Sequence, residues 1–155
     1  MNWNNNTEVS NYLSSLCLLH KGKPKFLPVG PKESIMDIEN SIGKDPIVIL
    51  DDIIGGSASV DAYSHVENTT IVFFVLVSED FGSSFDFQPT IEKTKKIGKD
   101  FVAKMIVDNS DNEYTSILGS EIEEVIGLNG TLYGVMLKVN VRGSYLEYDS
   151  DVWEF

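Results

Sequence analysis

Ile71-Val72-Phe73-Phe74-Val75-Leu76-Val77 is the stretch on which the fold turns. Together with Thr70 it is β-branched, aromatic or leucine at every position. Seven apolar residues fall far short of the ~20 that a membrane-spanning helix needs. The run predicts a strand from Thr70 to Val77 buried on both faces, with a helix layer on one side and a partner on the other.

Upstream, residues 60–67 and 69–78 read as strand-rich sequence. Gly55-Gly56 with Ser57 and Ser59 reads as a flexible turn or loop. Ile47-Val48-Ile49-Leu50 forms a short buried strand behind Asp45-Pro46. Residues 25–31 carry Pro28 and Pro31, which suits an edge strand or an extended linker rather than a central strand. One helix is expected before that stretch and a second after it. Residues 7–19 place Val9, Tyr12, Leu13, Leu16 and Leu19 on one face, with Thr7 as N-cap and a stop at Gly22 or Pro24. Residues 32–42 repeat the spacing with Ile35, Ile38 and Ile42, and Gly43 ends it.

Downstream, residues 79–88 read as a loop carrying Phe81, Phe85 and Phe87. Pro89 then suits the start of a helix reaching about Val107. Ile91, Thr94, Gly98, Phe101, Val102 and Met105 form its apolar stripe. Asp108 to Asn112 is a polar loop. Ile122, Val125 and Leu128 belong to a strand, Asn129-Gly130 marks a hairpin, and Leu132 to Val141 alternates in and out until Arg142-Gly143. The order predicts an α+β fold, a mostly antiparallel sheet flanked by helices, as one domain over 1–155. Its N-terminal helical part is 1–45 and its sheet part 46–155.

With 155 residues the chain fits one domain of ordinary size. It carries 24 carboxylates against 12 Lys+Arg, a formal charge of −12. That excess argues against a DNA-gripping surface, which needs clustered cations. The charge divides into −7 for residues 1–88, +3 for 89–107 and −8 for 108–155. Lys93, Lys95, Lys96, Lys99 and Lys104 make residues 89–107 basic. One cysteine, Cys17, excludes an internal disulfide and a cysteine-rich zinc site, and reads as a small packed residue. His20 and His65 leave little for a histidine metal cage; His20 suits the C-terminal dipole of the first helix. The polar start without Lys or Arg is not a secretory n-region, so a cytosolic site of synthesis is expected.

The motifs with a bearing on chemistry are weak. Gly55-Gly56-Ser57-Ala58-Ser59 lacks the closing glycine of a nucleophile elbow. Asp108-Asn109-Ser110-Asp111-Asn112-Glu113 begins like a calcium loop but has Glu113 where glycine is needed and Gly119 where glutamate is needed. Asp51-Asp52 and the trio Glu121, Glu123 and Glu124 have the right residue type for carboxylate or metal chemistry. A solvated face accounts for them more simply, with Glu121 and Glu123 on one strand face and Glu124 on the other. No enzyme, no metal and no cofactor is expected.

The succession of N-terminal helix, apolar hairpin strand, amphipathic helix and closing hairpin resembles the neck and tail ring proteins of tailed bacteriophages. The stretches that carry the likeness are Ile71–Val77, Phe85-Asp86-Phe87-Gln88-Pro89-Thr90, Phe101–Met105 and Leu132-Tyr133-Gly134-Val135 through Val141. The segment Pro46–Ser57 is similar to the first strand and hairpin loop of such proteins in phages of gut Bacteroides-type hosts, including crAss-like phages. The resemblance to tail-terminator and head–tail joining families implies a structural virion protein. Such a subunit would close a homo-oligomeric ring, often sixfold or twelvefold, against neighbouring portal, connector or tail proteins. DNA would pass without specific binding, no membrane would be involved, and assembly would take place in the host cytoplasm. The implied ring-interface residues are Lys93, Lys95, Lys96, Lys99, Glu121, Glu123, Glu124, Trp153 and Phe155. Gly55, Gly56, Ser57, Phe81 and Phe85 would serve contacts between rings. Two other classes compete. One is a small acidic adaptor or immunity-like domain for a basic partner, and the other is a metal-dependent hydrolase built on Asp51 or Asp52.

Overall fold

A computed structural model describes residues 3–27, 45–60, 65–79, 86–110, 116–128 and 130–145, with backbone alone at 55–60, 65–67, 116 and 143–145. Its elements are α1 (Asn6–Leu19), β1 (Lys25–Leu27), β2 (Ile47–Val60), β3 (His65–Ser78), α2 (Gln88–Asp108), β4 (Ser116–Leu128) and β5 (Leu132–Tyr145). The five strands make one sheet in the order β1-β2-β3-β5-β4. Among the described strands only the β1–β2 pair is parallel. The fold is α+β, a mostly antiparallel sheet with two described helices on one face.

β3 is the middle of the sheet, as its composition demands. Val75 pairs with Val48 on one side and Val135 on the other, and Phe73 with Leu50 and Leu137. These side chains share the face under the helices. Ile71, Phe73, Val75, Val135, Leu137 and Val139 are wholly buried there with Val9 and Leu13 of α1 and Met105 of α2. Each such side chain contributes roughly 1.5–3 kcal/mol by leaving water. Burial on both faces of β3 is borne out at Val72 and Leu76, whereas Thr70 and Phe74 on the reverse face are only partly buried. Leu76 on the reverse side is buried with Ile47, Ile49 and Leu132, and Phe74, Val125 and Leu128 pack around them.

The described helices lie side by side on that sheet. α1 sits over β1 and β2, and α2 over β3, β5 and β4. They run antiparallel: Tyr12 meets Asp108 and His20 meets Asp100. α2 approaches the sheet most closely at Gly98, where an added Cβ would fall 2.9 Å from both methyls of Leu137. Thr94, buried in the same face, is satisfied by its own helix through Thr90 O at 3.0 Å and Ile91 O at 2.9 Å.

Several expectations need correction. The N-cap of α1 is Asn5, whose side chain accepts from the Glu8 N–H at 3.1 Å; Thr7 lies inside the helix. Leu19 is 72 % exposed, and Cys17 takes its place on the buried face. The helix already ends at His20, which adopts extended backbone. The Gly55–Ser59 segment is not a loop. β2 continues through it to Val60, pairing Gly55 with Thr69 and Ser57 with Asn68 around a bulge. Hydrogen bonding to a long neighbouring strand overrides the local preference of Gly-Gly-Ser for a turn. For the same reason residues 65–78 form one strand rather than two, and β5 runs past Arg142-Gly143 to Tyr145, where it still pairs with β3. The helix expected over 32–42 lies outside the described residues.

Candidate functional site

The helix pair leaves a groove at the C-terminal end of α1. Helical spacing aligns Lys93, Lys96, Ile97, Asp100, Phe101 and Lys104 on the flank of α2 that faces α1. Leu16, Leu19, His20, Lys21 and Gly22 form the opposite wall, and the space between measures about 610 Å³. Leu16, Ile97 and Phe101 make a buried apolar floor. Lys21, Lys93, Lys96 and Lys104 line it, against the single carboxylate of Asp100.

His20 fixes the wall of this groove. Its Nδ1 accepts the Gly22 N–H at 2.9 Å. The ring proton is therefore on Nε2, which donates to Asp100 Oδ2 at 3.0 Å. His20 thus bridges the two helices and lies against the Phe101 ring, centroids 5.8 Å apart. Lys23 closes the end of α1 by donating to Leu18 O at 2.6 Å. At the other end of the helix pair the Tyr12 hydroxyl donates to Asp108 Oδ2 at 2.9 Å. Lys104 donates to the other oxygen of the same carboxylate. Lys104 and Tyr12 together hold the Asp108 carboxyl below its ordinary range, while burial and Asp108 push the Tyr12 phenol upward.

The basic segment divides on folding. Lys93, Lys96 and Lys104 face the groove, whereas Lys95 and Lys99 lie outside its lining on the other flank of α2. Among the described residues, Lys21, Lys93 and Lys96 have no carboxylate within ion-pair distance. Glu121, Glu123 and Glu124 are exposed on β4, at the sheet edge away from β1. Glu121 and Glu123 do share a face, opposite Lys138 and Met136, and Lys138 donates to Glu123 at 2.8 Å. Glu124, opposite Val135, takes the other face. Gly55, Gly56 and Ser57 belong to β2, far from the loop role expected of them. Phe81, Phe85, Trp153 and Phe155 lie outside the described residues. Phe87 is the N-cap of α2 and stacks on Tyr133, centroids 5.7 Å apart.

The alternative chemistries find no assembled site among the described residues. Asp51 occupies a bulge of β2, its carboxyl pushed up by burial and by the adjacent Asp52. Asp52 accepts the Ile53 N–H at 2.8 Å. No group of three or more His, Cys, Asp or Glu gathers there or elsewhere in the described part. Asp108, first in the calcium-like run, is held by Tyr12 and Lys104. The Cys17 thiol is buried, and burial pushes it up to about 12. No described helix is long and apolar enough to cross a membrane.

Two features were missed in the sequence. Trp3 is a buried anchor 1 % exposed, set edge-on to Tyr12 at 5.8 Å. Its position among asparagines hid it, since no periodic pattern includes it. The pairing of Lys21 with the α2 lysines across the groove was also hidden. The i, i+3, i+7, i+11 spacing of 93, 96, 100 and 104 marks that flank of α2, but the neighbour of that flank is a tertiary fact. No protein-family model matches the chain, and comparison with the curated proteins gives no relative.

Proposed function

We propose that the protein is a structural subunit of an oligomeric ring in the neck or tail of a tailed bacteriophage. The observation that carries the reading is the segregation of charge onto unlike surfaces of one small fold. One is the lysine-rimmed groove between α1 and α2. The other is the glutamate-bearing edge strand β4, on the far side of the sheet from α1. A ring closes through heterologous contacts, each joining two different surfaces of the same chain. Complementary charge on those surfaces sets partner orientation and speeds association. The acid excess of −12 repels DNA, which suits a channel that DNA must traverse without sticking.

Negative-stain imaging of the purified protein, alone and with the portal protein of the same genome, tests this. The expected result is a ring with a central opening in at least one of the two samples. A monomer in both would remove the proposal. A second reading, an adaptor domain for a basic protein, draws on the three exposed glutamates of β4. It predicts a complex of fixed small stoichiometry and no ring.

A further inference from the structure

We propose that the groove between α1 and α2 is a docking site for the C-terminal segment 146–155 of a second copy of this chain. The segment reads Leu146-Glu147-Tyr148-Asp149-Ser150-Asp151-Val152-Trp153-Glu154-Phe155. It carries four carboxylates, no base, and five apolar or aromatic side chains. The groove is its chemical complement. Lys21, Lys93, Lys96 and Lys104 rim a floor of Leu16, Ile97 and Phe101, and Leu19 stands exposed beside it. A volume of about 610 Å³ accommodates an aromatic side chain or two. The apolar floor and the Asp100 carboxylate disfavour a nucleic-acid backbone, which would meet cations but leave the floor unmatched.

The strand that leads into the segment points to a neighbour as its donor. β5 runs from Leu132, opposite Ser78, to Tyr145, opposite Val66. Its last residues therefore lie near the start of β3. α2 begins at Gln88, ten residues after β3 ends, and Gly98 packs on Leu137, midway along β5. The groove flanks α2 from Lys93 to Lys104, while β5 runs on eight residues past Leu137 to Tyr145, so the chain leaves β5 heading away from it. A contact from the tail of one copy to the groove of the next is head-to-tail, the kind that propagates around a ring. Only the claim that the donor is a neighbour rests on the ring reading above; the match between tail and groove stands by itself.

Zero-length carbodiimide coupling, which joins a carboxylate to a lysine amine in contact with it, tests the proposal on the full chain. A 1:1 mixture of ¹⁴N- and ¹⁵N-labelled protein is coupled and digested, and the cross-linked peptides are read by mass spectrometry. The expected result is mixed-isotope peptides joining Glu147, Asp149, Asp151 or Glu154 to Lys21, Lys93 or Lys96. Cross-links of one isotope only would mean that the tail folds onto its own groove, and would overturn the proposal. Tail cross-links confined to Lys25, Lys95, Lys99 or Lys138, or none at all, would overturn it equally. In Lys93→Glu with Lys96→Glu, the coupling that remains possible at Lys21 should be lost. Its survival at the wild-type yield would refute the charge match. Trp153→Ala with Phe155→Ala leaves every charge in place. It should lower the mixed-isotope yield about tenfold or more if the aromatics seat in the groove; an unchanged yield would refute the seating. Ring formation, imaged separately, keeps the two proposals apart. Rings without these cross-links would leave the ring and remove the docking site. Mixed-isotope cross-links without rings would do the reverse.

Discussion

Gly134 lies in β5 between Leu76 of β3 and Val125 of β4. A Cβ placed there would fall 2.0 Å from Val75 O, 2.9 Å from Leu76 Cα and 3.0 Å from Val75 C. All three are backbone atoms of the central strand, so no rotamer change relieves the clash. β5 must move by more than an ångström, and the ladder to β3 and the layer of Val135 and Leu137 move with it. Overpacking of a tight core costs about 1–3 kcal/mol when side chains can yield, and occasionally more. Here backbone must yield, so Gly134→Ala should cost about 3 kcal/mol or more. For a chain of this length that lowers Tm by roughly 6–12 °C.

Two other glycines calibrate the argument. Gly130 has open space around it but φ +85°, so alanine there should cost about 1–2 kcal/mol of left-handed strain. Gly119 on β4 has nothing within 4 Å and an ordinary φ, so Gly119→Ala should leave stability unchanged or slightly raised. Urea unfolding of the three variants with a common m-value measures the series. If Gly134→Ala fell within about 1 kcal/mol of Gly119→Ala, the pairing of β5 with β3 would be wrong in register.

Cys17 should resist a thiol reagent in the native protein and react at a rate set by opening of α1, because burial pushes its thiol up to about 12. The unfolded thiol ionises near 9, so its raised native value lends stability below that pH. The contribution fades as pH rises from about 9 to 12, a fall that Cys17→Ala should reduce in alkaline unfolding curves. Asp108→Asn removes the charge that Lys104 pairs with and should cost about 1 kcal/mol at pH 7. The native carboxyl of Asp108 is lowered, so its stabilisation is full above the ordinary aspartate value and disappears as pH falls through the lowered one. The gap between wild type and Asp108→Asn in thermal melts should close in strong acid. Gly98→Ala should push Leu137 out of place and cost about 1–3 kcal/mol, less than Gly134→Ala because its obstacle is a side chain.

Much of the fold was legible because its hydrophobic pattern is strong. The run 71–77 identified the central strand, and the alternation of Val135, Leu137, Val139 and Val141 identified its neighbour. Spacing on 89–107 identified the helix that covers both. Glycine and serine misled where tertiary hydrogen bonding outweighed turn preference, at 55–59 and at Arg142-Gly143. Pattern reading also put Leu19 inside, because a three-residue step from Leu16 continues the stripe. The chain in fact leaves the helix there, and Leu19 lies exposed at the groove. The lysines of α2 were visible as a basic segment, but their division into groove-facing and outward sets required the position of α1. Lys21 could join them only through the fold, since 72 residues separate it from Lys93.

In the proposed ring, copies of this chain meet through contacts in which charge takes part. Mass photometry of the purified protein across a salt series tests this most directly. The account predicts one discrete species of six or twelve chains at low ionic strength, losing population to smaller species as salt screens the contacts. A single-chain mass at every salt concentration, with and without the portal protein, would contradict it.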